Sequence, residues 1–355
     1  ALGEREVAEI ATQFPHVQRR VGGYNLDALT PQNINNMAHL LVGSEGTLAF
    51  TTRVELKLWP LIGSKVFGVC HFGSFYEAMD ATQHLVKLKP IAVELVDSTM
   101  VALGRDIAMF RPTIEAVVKG EPEALLVVEF AEADQAANLA KLKQLSELMG
   151  DLGFGWDRPK RKWGGVVDVS EPAMQAAITD FRTSGLNVMM SMKQEGKPVS
   201  FVEDCAVPLE HLAEYTDALT QVFRKHGSRG TWYAHASVGT LHVRPILDMR
   251  RDGATKMRAI AEEASALVHK YKGAYSGEHG DGLCRGEWIR WQFGPKIDQA
   301  FGQIKQMFDP AGLLCPQRMV NPPRMDDTRL MRFPPSYRVI PLQPALDWSA
   351  WNVQN

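Results

Sequence analysis

The sequence predicts an α+β fold: a ferredoxin-like antiparallel sheet with helices on one face. Two observations carry this. A strand, helix, strand order runs through "KVFGVCHF" (65–72), "SFYEAMDATQHLVKL" (74–88) and "IAVELVD" (91–97), with "ALLVVEF" (124–130) as a further strand. The same order returns in "KPVSFVEDCAVP" (197–208), "LEHLAEYTDALTQVFRKHG" (209–227) and "TWYAHASVGTLHVRPIL" (231–247), the last a pair of strands around a turn.

Each element has a local reason. In 74–88, Ser74 and Glu77 have capping-box spacing, and Phe75, Met79, Thr82 and Val86 share one helical face. "DQAANLAKLKQLSELMG" (134–150) reads as a helix from Asp134 to a Gly150 stop, with Leu139, Leu142 and Leu145 inward. In 209–227 the inward set is Leu212, Tyr215, Leu219 and Val222, and a later helix runs through Met257, Ile260, Ala264 and Leu267. Before all of these, Leu48, Phe50, Val54, Leu56 and Leu58 form a β-like pattern that ends at Pro60. Met189, Met190 and Met192 read as core packing, with an apolar pocket wall as the alternative. The tail from Pro322 is proline-rich and reads as a connector.

Composition narrows the function. The chain has 355 residues, 45% hydrophobic and 23% charged, enough for two domains or one large domain with an appendage. A net charge of −2 offers no electrostatic case for nucleic acid or an anionic membrane. No stretch approaches the roughly 20 apolar residues of a membrane span. Cys70, Cys205, Cys284 and Cys315 are scattered, without a C-x-x-C, which reads as thiols of a cytoplasmic protein. The start, "ALGEREVAEIATQF", is an amphipathic helix pattern without an initiator methionine, so a fragment is expected.

Two motifs carry chemistry. In "YAHASVGTLHV", a turn at Val238–Gly239 would pair His235 with His242 across a hairpin. Opposed residues share a face with Cβ atoms about 5 Å apart, close enough for both imidazoles to reach one ion. "YSGEHGDG" (275–282) sets Glu278 beside His279 between glycines. Two histidines and a carboxylate suit catalytic Zn²⁺, and also Fe²⁺ or Mn²⁺. Glu278 is then the third ligand and His279 a general base, with Asp281 orienting His279 or a ligand imidazole. The plain alternative for the Glu–His pair is a solvated turn.

The motifs together resemble a known family. "GYNLDAL" (23–29), "LLVGSEGTLAFTTRVELKL" (40–58), "FVEDCAVPLEHL" (201–212), "HASVGTLHVRP" (235–245), "YSGEHGDG" and "FDPAGLLCPQRMVNP" (308–322) occur in the family's order. The chain resembles the FAD-linked oxidases with a vanillyl-alcohol-oxidase-type flavin domain, among them D-lactate dehydrogenase, the glycolate oxidase flavin subunit and D-2-hydroxyglutarate dehydrogenase. The nearest likeness is to the large bacterial form that also carries an iron–sulfur domain.

The resemblance implies a division of the chain. Residues 1–62 would be the C-terminal remnant of an α+β FAD-binding domain, 63–322 the substrate (cap) domain, and 323–355 a connector toward an absent iron–sulfur domain with its cluster. Gly43, Ser44, Glu45 and Gly46 would lie against FAD, with Asn321 on the flavin side. His235, His242 and Glu278 would bind zinc, His279 would be the base, and Arg182 would hold a substrate carboxylate. Leu186 and Val202 stand where the family has a threonine and a lysine, and Lys193, Lys197 or Arg244 would supply the replacement cation. The implied reaction is metal-assisted oxidation of a D-2-hydroxy acid to the 2-oxo acid, with hydride passing to flavin N5. Implied partners are the small-molecule acid and a downstream electron acceptor, and a homo-oligomer is left open. The fragment alone is expected to be inactive. Two other classes compete: a metal-dependent hydrolase, active without flavin, and a non-catalytic docking module, which would bind no ion.

Overall fold

Contacts along the chain gather into two units: residues 59–200, 209–249 and 337–355 in one, and residues 1–58, 201–208 and 250–336 in the other. The computed structural model describes residues 2–33, 36–157, 162–192, 194–334, 337–338 and 345–347. Lys193, one of the expected cations, and much of the 323–355 connector lie outside the described residues.

The first unit is built on one sheet. Its strands are β1 Val66–Phe72, β2 Ala92–Asp97, β3 Ala124–Phe130, β4 Phe154–Gly155, β5 Lys162–Val169, β6 Lys197–Pro198, β7 Gly230–His235 and β8 Thr240–Leu247. Their order is β4-β5-β1-β3-β2-β7-β8-β6. Every neighbouring pair is antiparallel except β4–β5, so the sheet is mixed, not wholly antiparallel as expected.

Helices cover both faces, which corrects the one-face expectation. Phe67, Val69, Val96, Leu125 and Val127 pack with Met100, Ile114, Ile178 and Phe181 from helices on one side. On the other side, a Cβ added to Gly68 would sit 2.3 Å from Leu145 Cδ2 of the helix Gln135–Asp151. The physical cause lies in β1 and β3, whose residues are apolar on both faces and almost all buried, as a doubly covered strand requires.

Several local expectations change in detail. Ser74 makes no side-chain cap; the Phe75 N–H instead donates to Glu123 Oε2 at 3.0 Å, a partner 48 residues away that local spacing cannot reveal. In the helix Gln135–Asp151, Asp134 does cap, accepting from Ala137 N at 2.8 Å. Leu139 is exposed, however, and the inward row is Asn138, Leu142, Leu145 and Met149. Asn138 is buried because its amide bridges Glu132 N and Ser64 O. Leu267 is half-buried, and Val268 takes the core position. Met189 and Met192 are core residues, while Met190 is exposed.

The second unit has an aromatic core: Tyr24, Leu26, Leu40 and Leu48 pack with Phe293, Ile297, Phe301 and Ile304 of the helix Ile289–Phe308. Gly23 (φ +67) sits so close to Phe301 and Phe293 that a Cβ would lie 2.6 Å from a ring carbon. The expected strand over 48–58 does not form, and Phe50, Val54, Leu56 and Leu58 are exposed. Alternation becomes a strand only when a neighbour completes its hydrogen bonds. The expected strand 197–208 is limited to β6; residues 201–208 belong to this second unit, where Ala206 bridges Ala274.

Candidate active site and metal ligands

In the sheet unit, the hairpin β7–β8 aligns Tyr233 with His242, Ala234 with Leu241 and His235 with Thr240. The register therefore differs from the expected pairing of His235 with His242. A 3₁₀ turn over Ala236–Val238, closed by left-handed Gly239 (φ +69), makes the connection four residues long instead of two. The two histidines become diagonal neighbours yet keep one face, because His235 lies two residues from Tyr233. Their ring centroids are 5.1 Å apart with planes at 88°. His242 is buried and leans on the Tyr233 ring, with centroids 4.8 Å apart.

Of the expected cations, Arg244 lies on the same face, two residues from His242, while Lys197 pairs with Leu247 of the opposite face. Arg244, buried, donates to Tyr233 Oη at 2.8 Å and to Ser200 Oγ at 2.9 Å. Lys197 Nζ donates to Met192 O at 2.5 Å. Arg182 Nη2 pairs with Glu94 Oε2 at 2.5 Å, and both Glu94 oxygens lie 2.9 Å from His235 Nδ1. Glu94 escaped the sequence reading, since a single acid in an apolar strand carries no motif. The donor chemistry fits a divalent metal: two imidazoles on one face, one with its Nδ1 held by a carboxylate.

In the second unit, the stretch around Glu278 and His279 is a turn held from several directions. Asp204 accepts from Ser276 Oγ at 2.6 Å, from Glu278 N at 2.8 Å and from His279 N at 2.7 Å. Its left-handed backbone (φ +76) is one that aspartate tolerates better than most residues. His279 Nδ1 meets Glu203 Oε1 at 3.1 Å, and this bond chiefly raises the His279 pKa above the ordinary histidine range. Burial raises the pKa of Asp204. Arg19 Nη1 pairs with Glu278 Oε1.

Asp281, expected to orient an imidazole, instead accepts from Gly23 N at 2.8 Å. It is fully buried, and burial lifts its pKa to about 7. The glycine of "GYNLDAL" therefore anchors the "EHGDG" turn. Glutamate 45 does the same from the "GSEGTL" side, its carboxylate accepting from Asp281 N at 2.5 Å and Gly282 N at 3.0 Å.

Gly43, Glu45 and Gly46 all hold positive φ, +78°, +53° and +70°. Such a turn presents main-chain N–H groups to an electron-rich partner, and a Cβ at Gly43 would meet nothing nearer than Val21 O at 3.7 Å. Backbone of this kind is compatible with the expected flavin contact. The Ser44 and Glu45 side chains, though, bond within the protein, Ser44 Oγ donating to Leu41 O at 2.8 Å. Asn321 is exposed and left-handed (φ +51).

Among the described residues no cysteine is joined in a disulfide, and no helix is long and apolar enough to cross a membrane.

Over 322 residues the chain is 30% identical to a D-2-hydroxyglutarate dehydrogenase of Pantoea ananatis, covering 88% of this chain and 31% of that protein. It is 29% identical over 330 residues to the Escherichia coli enzyme of that name, covering 89% and 31%. A D-lactate dehydrogenase of Archaeoglobus fulgidus is 28% identical over 289 residues, covering 80% and 58%. The chain thus spans 31% of the length of the first two relatives. Among solved structures, p-cresol methylhydroxylase with substrate bound aligns with a TM-score of 0.50 at 12% identity, over 74% of this chain and 54% of that one, a likeness of fold alone. Residues 63–319 match the family described as FAD linked oxidases, C-terminal domain, and the chain belongs to that family.

Proposed function

We propose that the polypeptide carrying this chain oxidises a D-2-hydroxy acid to the 2-oxo acid with FAD, and that His235, His242 and Glu278 hold a divalent metal, zinc. The observation that carries the reading is the pair of perpendicular imidazoles on one sheet face, with the ring centroids 5.1 Å apart. A docking module has no use for such a pair. Relatives named D-2-hydroxyglutarate and D-lactate dehydrogenases support the substrate class.

When bound, FAD supplies a two-electron acceptor and the metal a Lewis acid. This chain's residues do the rest. His279, whose Nδ1 meets Glu203, accepts the substrate hydroxyl proton at Nε2. Arg244 and Lys197 bind carboxylate, the guanidinium favoured for its bidentate fork. Gly43, Ser44, Glu45, Gly46 and Asn321 lie on the flavin side, by main chain at Ser44 and Glu45.

The test uses the full-length polypeptide loaded with FAD and offered D-2-hydroxyglutarate, D-lactate and glycolate. One of them is expected to bleach the flavin, and His279→Ala to slow bleaching by about 10²–10⁴-fold. Absence of bleaching by every 2-hydroxy acid, or an unchanged rate in the variant, sinks the reading. Substrate turnover without flavin would instead favour a metal-dependent hydrolase.

A further inference from the structure

Glu94 lies on the apolar face of β2, beside Val96, and is only 7% exposed. A carboxylate is costly to bury there unless it is paired and hydrogen-bonded. The register of β2 and β7 places it directly opposite His235, and the helix Pro172–Thr183 brings Arg182 onto its other side. The result is a chain of three groups: Arg182 Nη2 to Glu94 Oε2 at 2.5 Å, and Glu94 to His235 Nδ1 at 2.9 Å.

We propose that Glu94 is a positioning residue for a metal-binding His235, and that Arg182 positions Glu94 in turn. The proposal rests on the metal reading above. A carboxylate on Nδ1 keeps the proton on that nitrogen and makes Nε2 the lone-pair donor, while also fixing the ring plane. Arg182 in turn holds Glu94 in place, as a guanidinium does for a buried carboxylate.

The test has two arms on the 355-residue chain. In the first, ¹⁵N shifts of the His235 ring are read without metal. The Nδ1–H form is expected in the parent protein, with a move toward Nε2–H in Glu94→Gln. In the second, Zn²⁺ affinity is measured by competition with a chromophoric chelator for the parent, Glu94→Gln, Arg182→Met and the double variant. Glu94→Gln is expected to bind Zn²⁺ about 10–100-fold more weakly. Arg182→Met should weaken it too, and the double variant should be no weaker than Glu94→Gln alone.

An Nε2–H tautomer in the parent protein overturns the proposal without any variant having to fold. So does unchanged Zn²⁺ affinity in Glu94→Gln, or in Arg182→Met. If the parent binds no Zn²⁺ while His235 is held in the Nδ1–H form, the metal reading and the metal role proposed here fall together, and only the Glu94–His235 contact survives.

Discussion

Asp204 Oδ2 accepts the main-chain N–H of His279 at 2.7 Å, while its Oδ1 accepts that of Glu278 at 2.8 Å. One side chain thus sets the backbone of both residues that the proposed chemistry uses. Asp204→Ala leaves two main-chain donors without this acceptor and leaves the Ser276 hydroxyl to the longer contact with Gly280 O at 3.2 Å. At about 1–3 kcal/mol for each donor left unsatisfied, the loss is about 2–6 kcal/mol, read from the denaturant midpoint. Asp204→Asn keeps one acceptor oxygen and tolerates the left-handed backbone, so it should cost less. Equal stability of all three proteins would show that the turn stands without Asp204.

Gly280 and Glu45 make a second test of the turn. Gly280 has φ +85, and an added Cβ would lie 2.4 Å from Glu45 Oε1. Gly280→Ala must therefore displace the carboxylate that bonds the Asp281 and Gly282 amides, besides bearing a left-handed cost of about 1–2 kcal/mol. Glu45→Ala loses the same amide bonds without the backbone strain. Gly280→Ala is expected to be the less stable of the two, and the double variant no worse than Gly280→Ala by more than a few tenths of a kcal/mol. Thermal melts of the three variants give the comparison, and additive losses would refute the shared contact.

His71 makes the sheet unit sensitive to acid. The ring is buried in β1, with Nδ1 donating to Val69 O at 2.9 Å and Nε2 accepting from Lys119 N at 3.0 Å. Both nitrogens are satisfied only in the neutral form, and burial lowers the pKa to about 4. Because the folded pKa lies below the unfolded value of about 6.5, this stabilisation is full above pH 6.5 and is lost as pH falls toward 4. The loss amounts to about 3 kcal/mol at one pKa unit per 1.4 kcal/mol. Trp156 and Trp163, with ring centroids 5.1 and 6.4 Å from His71, report unfolding by fluorescence. Urea midpoints should fall between pH 6.5 and 4 and be flatter in His71→Gln; parallel pH curves would exclude His71 as the source.

How much of this was readable beforehand depended on the distance over which each feature is determined. Strand β3 is found where its run of apolar residues put it, and the helix Gln135–Asp151 begins at the expected Asp134. Those signals are local, set by side-chain period and capping chemistry within a few residues. The 48–58 segment shows the limit: its alternation is real, yet Phe50 and Leu58 are more than 80% exposed. The histidine hairpin lies between these cases, since the shared face followed from parity while the register waited on the turn.

By itself, then, the sequence determined the helices near 74–88, 134–150 and 209–227 and the strands β1, β2, β3, β7 and β8, because each rests on neighbours along the chain. The tertiary structure decided what those side chains meet. Glu94 reaches His235 across 141 residues only because β2 and β7 are adjacent in the sheet, and Glu203 reaches His279 across 76. Asp281, read as a partner for an imidazole, went to the amide of Gly23, 258 residues away. Such pairings follow from strand order and loop packing, to which residues far apart contribute jointly, and no local period encodes them.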